Sequence, residues 1–180
     1  MAVISSSNKA MKTLVKQLVA HYPNVSFHQS DTFLWNPKLE RVHYDPSDSS
    51  KQARWSLLHE LAHGLLGHTD YETDIELLLM EAQAWEHAIR LQGMHDTKNP
   101  IDNEHVQDCL DTYRDWLYSR STCPECDQVG LQEDKHRYKC LNCLQIWRVS
   151  TKRFTRPYRL CTIEKIKTSS AQTNEQMKFY

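Results

Sequence analysis

The chain has 180 residues, a formal net charge of −1, 39% hydrophobic residues and a mean hydropathy of −0.69. That length suits one modest domain plus a small module, and no apolar run is long enough to span a bilayer. Met1 to Asn8 lacks the hydrophobic core of a secretory signal, so the expected setting is cytoplasmic, with no membrane partner.

In chain order, the spacing predicts a first helix over residues 8–21, with Ala10, Leu14, Val15 and Leu18 on one side and Lys9, Lys12 and Lys16 on the other. Tyr22-Pro23-Asn24 ends it. Val25-Ser26-Phe27, Thr32-Phe33-Leu34-Trp35 and Arg41-Val42-His43-Tyr44 read as three short strands, with a turn at Asn36-Pro37-Lys38. The loop Asp45-Pro46-Ser47-Asp48-Ser49 is rich in N-cap residues. A second helix is expected over residues 50–66, ended by Gly67.

That helix carries His59-Glu60-Leu61-Ala62-His63. Imidazoles four residues apart share one helix face, one turn from each other. The spacing lets both bind one Zn²⁺, with Glu60 beside them to act as a base towards water. Leu57, Leu58, Leu61, Ala62, Leu65 and Leu66 would bury the helix on several sides, and buried imidazoles and a carboxylate need a partner such as a metal. A zinc hydrolase, foremost a peptidase, is the expectation.

A catalytic zinc usually takes three protein ligands. A third helix is expected over residues 73–92, ended by Gly93, with Ile75, Leu78, Ala82, Trp85 and Ile89 as its core stripe. Glu81 falls within the apolar arc, and its i−4 and i+4 neighbours, Leu77 and Trp85, cannot pair with it. Ala84 and Ala88 would let the motif helix come close. Glu86 has Arg90 at i+4, Glu76 should face solvent, and His87 should lie on the outer face. Glu81 is therefore the first choice as third ligand. His68 is the rival, five residues after His63. Metzincins place a His six residues after the second motif His and a Gly three after it; here those positions hold Thr69 and Leu66. His68 would otherwise touch substrate or cap the helix C-terminus. A fourth helix is expected over residues 102–119, with Val106, Leu110, Tyr113 and Leu117 inward.

Cys123-Pro124-Glu125-Cys126 and Cys140-Leu141-Asn142-Cys143 are two C-x-x-C knuckles separated by 13 residues. Four thiolates at that spacing fit a structural zinc ribbon that folds with its metal, with Leu131, Tyr138 and Trp147 as filling. Cys109 and Cys161 remain as a buried and a tail thiol, in keeping with a reducing compartment. Residues 1–134 hold 11 Lys/Arg and 21 Asp/Glu, a net of −10, and residues 135–180 hold 11 and 2, a net of +9. The halves are thus suited to different partners, or to each other. Arg148, Lys152, Arg153, Arg156 and Arg159, interleaved with Trp147, Phe154 and Tyr158, are candidate contacts to DNA or RNA. From Lys165 onward the Ser/Thr/Gln/Lys-rich end is expected to be flexible.

His59-Glu60-Leu61-Ala62-His63 followed by Glu81-Ala82-Gln83-Ala84-Trp85-Glu86-His87-Ala88 resembles the ImmA/IrrE metallopeptidases, which carry H-E-L-x-H and then E-A-x-x-F-A with its Glu on zinc; Trp85 replaces the usual Phe. The resemblance covers roughly residues 8–95. It implies a gluzincin-like core with His59, His63 and Glu81 as ligands, Glu60 as base, and a repressor or other DNA-associated factor as substrate. The SprT-like proteases also join such a domain to a zinc ribbon, but their later third-ligand His segment has no match here.

The sequence thus predicts an α+β chain: a metallopeptidase-like domain over residues 1–120 with an N-terminal helix, a small antiparallel sheet and a helical zincin-like core, a β zinc ribbon over 121–150, and a basic, largely flexible tail over 151–180. Two Zn²⁺ are implied, one catalytic and one structural. The substrate would be a protein. His43, Tyr44, His68 and Tyr71 are candidate oxyanion or substrate contacts, and the strand around Arg41–Tyr44 could take up an extended peptide by strand addition. The competing class is a non-catalytic, zinc-stabilised protein that binds nucleic acid or a regulator.

Overall fold

The computed structural model describes residues 3–150, 152–153 and 158–162. Its elements are α1 (Val3–His21), β1 (Ser26–Gln29), β2 (Leu34–Asn36), β3 (Arg41–Tyr44), α2 (Lys51–Leu65), α3 (Asp74–His95), α4 (Asn103–Ser121), β4 (Leu131–Asp134), β5 (Arg137–Lys139), β6 (Ile146–Val149) and β7 (Arg159–Thr162). The fold class is α+β, as the sequence predicts.

Local chemistry sets the helix ends. Ser50 caps α2 by accepting the Ala53 N–H, and Thr73 caps α3 by accepting the Glu76 N–H. Gly67, with φ of 69°, turns the chain out of α2 in the left-handed conformation that glycine adopts freely. Gly93 does not end α3. The helix continues to His95, where the N–H of Asp96 bonds to the Gln92 carbonyl.

The face α3 buries also differs from expectation. Leu77, Glu81, Ala84, Trp85, Ala88, Leu91 and Gln92 are inward, while Ile75 and Ile89 are exposed. The run Leu77-Leu78-Leu79 fits more than one helical phase. Close packing of α3 on α2 favours the phase that puts Ala84 and Ala88 at the contact. The main core joins Leu14 and Leu18 of α1, Val42 of β3, Leu57, Leu58 and Leu61 of α2, Trp85 and Leu91 of α3, and Val106 and Leu110 of α4.

The first sheet has the order β1-β3-β2. It is mixed rather than antiparallel: β2 and β3 form a hairpin, and β1 pairs with β3 in parallel. The hairpin turn takes one edge of β3, so β1 must reach the other. β3 is therefore central and cannot accept a peptide strand. The outer edge beside the site belongs to β2.

The second sheet is an antiparallel meander, β4-β5-β6-β7. β7 pairs with β6 through Trp147↔Cys161 and Arg148↔Leu160, so the ribbon runs past the expected boundary at residue 150. Cys123, Tyr138, Cys140, Trp147 and Val149 form its core. Leu131 is exposed, contrary to expectation. On β4 the alternation turns Gln132 inward instead, and its Oε1 accepts the Asp74 N–H at 2.9 Å.

The ribbon is docked on the helical domain. Tyr138 O–H donates to Asp74, Arg120 lies 3.8 Å from Asp74, and Arg120 donates to the Lys135 carbonyl at 2.7 Å. Trp147 Nε1–H donates to the Arg120 carbonyl at 3.0 Å. Among the described residues no helix is long and apolar enough to cross a membrane.

Candidate active site

α2 and α3 build the centre between them. His59 and His63 lie one turn apart on α2, and Glu81 faces them from the alanine-lined side of α3. All three are buried, with relative exposures of 6%, 8% and 3%. His59 Nε2 is 3.1 Å from Glu81 Oε2 and 3.1 Å from His63 Nε2, and His63 Nε2 is 3.5 Å from Glu81 Oε2. Tetrahedral zinc with bonds of about 2.0–2.1 Å holds its ligand atoms about 3.3 Å apart. The three donors therefore fit zinc in kind and in spacing. Burial alone would raise the Glu81 carboxyl, but hydrogen bonds from His59 and His63 outweigh it and hold the group well below the usual carboxylate range.

Glu60 does not share this cluster. Its Oε2 accepts the backbone N–H of Trp35 at 2.6 Å, which aims the carboxylate at the cleft from the β2 edge. The Trp35 ring lies over Gly64, where an added Cβ would come within 2.9 Å of it. Its indole N–H donates to the His68 carbonyl at 2.9 Å. One tryptophan thus ties together β2, α2 and the loop after α2. The sequence offered no signal for this role, because the backbone N–H does the work.

His68 takes a position beside the ligand set. Its Nδ1 is 2.9 Å from Nδ1 of His63, the ring nitrogen turned away from the metal cluster. Burial, and then the nearby His63, pushes its pKa down. A ring in this place orients a metal-ligating imidazole.

The cleft in front has a volume of about 440 Å³, and its lining includes Trp35, Glu60, His63, Glu81, Tyr113 and Arg153. Tyr113 comes from α4. Burial first, and then the charge of Glu81 to which it hydrogen-bonds, raises its pKa, so it keeps its proton. His68 also lines the cleft. The other candidate substrate contacts lie elsewhere. Tyr44 is in the core, His43 packs edge-on against His28, and Tyr71 is buried against Leu77 and Trp116.

The ribbon cysteines also converge. Sγ atoms of Cys123 and Cys143 are 3.6 Å apart, and those of Cys126 lie 3.5 Å from Cys140 and 3.5 Å from Cys143. A tetrahedron with Zn–S bonds of about 2.3 Å has edges of about 3.8 Å. The two knuckles are built alike. Asp127 and Leu144, each just after the second Cys, have φ of 56° and 62°, and the N–H of Cys123 and of Cys140 bond at 2.8 Å to Gln128 and Gln145. A hydrogen bond from Asn142, then one from the backbone, lowers the Cys126 thiol to about 6.

The basic residues proposed to meet nucleic acid lie in several settings among the described residues. Arg148 and Lys152 are exposed. Arg159 donates to the Thr122 carbonyl at 2.9 Å. Arg153 is in the cleft, 3.7 Å from Glu81. Arg156 and the segment beyond residue 162 lie outside the described residues.

Residues 15–100 match the family model Peptidase_M78, the IrrE N-terminal-like domain. No curated protein and no solved structure gives a match.

Proposed function

From residues 15–100 as a Peptidase_M78 domain of the ImmA/IrrE type, we propose that the chain is a zinc-dependent metalloendopeptidase. The observation that carries this is the meeting of His59, His63 and Glu81 within 3.5 Å of one another, with Glu60 lining the same cleft. His59 Nε2, His63 Nε2 and Glu81 Oε2 would hold the metal, with His68 keeping the His63 ring in place. Zinc there supplies Lewis acidity, activating water and polarising the scissile carbonyl.

The chain's own residues do the rest. Glu60, fixed by the Trp35 N–H, takes a proton from the attacking water as its oxygen bonds to the carbonyl carbon. It returns that proton to the amide nitrogen as the C–N bond breaks. The walls of Trp35, Leu77 and Met80 reduce water around the reacting groups.

The proposed substrate is an intracellular protein, such as a repressor or another DNA-associated factor. The net of +9 over residues 135–180 supports a setting near nucleic acid. The six free cysteines among the described residues support a reducing cytoplasm. Glu60→Gln tests the central step. It should retain zinc at the first centre and lower kcat on a cleaved protein by roughly 10²–10⁴-fold. Full activity in that variant would remove Glu60 as the base.

A further inference from the structure

We infer that Arg153, carried by the segment after the ribbon strand β6, belongs to the active site and stabilises the negative oxygen that forms on the scissile group. The inference rests on the peptidase reading above. It starts from position. Nη1 of Arg153 is 3.7 Å from Oε1 of Glu81, the carboxylate oxygen turned away from the two imidazoles. The guanidinium is therefore next to the ligand set, where the reacting carbonyl must lie, rather than in a remote subsite. Its side chain is 38% exposed, and the residue lines the cleft in front of the ligand set.

The placement is supported on two sides. The guanidinium carbon lies 5.0 Å from the centroid of the Tyr71 ring, a cation–π contact that limits where it can swing. Tyr71 is itself held in the cluster with Leu77, Trp116 and Leu117 under the ribbon, and Lys135 of the ribbon covers the same ring at 4.8 Å. Docking of the ribbon on Asp74 thus brings Arg153 towards Glu81, seven residues along the same helix. Among the described charged residues lining the cleft, Glu60 and Glu81 are acidic and Arg153 is the cation. Preorganised donors at a developing oxyanion are a large contribution to acyl-transfer catalysis. Unlike the matched segment, which ends at residue 100, the working site would include the C-terminal module.

The test uses the full zinc-loaded chain, with labelled denatured casein as substrate. Arg153→Ala should lower kcat about a hundredfold, with KM changed less than about threefold and zinc content unchanged. Arg153→Lys should recover part of the loss. A second readout needs no turnover. Calorimetry should show a dipeptide phosphonate, whose PO₂⁻ group replaces the scissile carbonyl, binding Arg153→Ala more weakly by a similar factor. An equal kcat and equal phosphonate affinity would overturn this inference and leave the peptidase reading standing. Faster cleavage by Arg153→Ala would also overturn it, marking the contact as a block. No cleavage by the unaltered chain together with no binding of the phosphonate would overturn both readings.

Discussion

At the scale of single residues, His59, Glu60 and His63 were legible because one helix turn fixes their relation without help from the rest of the fold. Glu81 was legible for a different reason. A carboxylate in an apolar arc with no i±4 partner signals a ligand on another element. What the sequence did not carry was the surrounding support. Trp35 acts on Glu60 through its backbone N–H, and His68 meets His63 only because Gly67 turns the chain back. The spacing of His68 from His63 makes it a rival ligand, but its geometry gives it the far nitrogen of a ligand ring. The replacement His68→Phe should then weaken first-site zinc binding roughly tenfold or more while leaving the ribbon metal in place. Competition with a fluorescent chelator measures this. Unchanged affinity would mean that the His63 ring needs no such partner.

At the scale of elements, helix existence and the three strands of the first sheet followed from periodicity. The phase of α3 did not. Three consecutive leucines satisfy several phases, and the contact with α2 selects one. Strand direction was also beyond reach, since nothing local distinguishes a parallel β1 from an antiparallel one. In the ribbon, Cys spacing locates the knuckles, but β7 lies outside the motif and carries no such signal. Gly130 gives this module a specific weak point. A Cβ there would stand 2.2 Å from the Trp147 ring, a contact that real structures avoid. Gly130→Ala should displace Trp147 and destabilise the ribbon by about 1–3 kcal/mol. Denaturant unfolding followed by tryptophan fluorescence would register it, and an unchanged midpoint would contradict the packing described.

At the scale of the molecule, the charge asymmetry proved partly internal. Asp70 of the acidic half pairs with Lys135 of the basic half, and Arg153 approaches Glu81. Charge counts alone leave docking and nucleic-acid binding both open, and only the three-dimensional contacts show that some cations serve the interface. Arg120 is its centre. It is 1% exposed and lies against Trp116, Tyr138 and Asp74. Burial raises the Asp74 carboxyl, against the pull of the Tyr138 bond and Arg120. Removing the guanidinium leaves that acid and the Lys135 carbonyl without their cation. Arg120→Ala should cost about 3 kcal/mol and release the ribbon face to hydrogen exchange. A stability change below about 0.5 kcal/mol would show that the ribbon is held by its apolar contacts alone.

The proposed activity depends on one zinc held by two histidines of α2 and one glutamate of α3, beside Glu60. The most direct measurement is an anomalous-difference map at the zinc edge from crystals of the full chain. One peak is expected within about 2.0–2.2 Å of His59 Nε2, His63 Nε2 and Glu81 Oε2, and a second within about 2.3 Å of the four ribbon sulfurs. A first peak ligated by His68 in place of Glu81, or a peak in the ribbon alone, would contradict it.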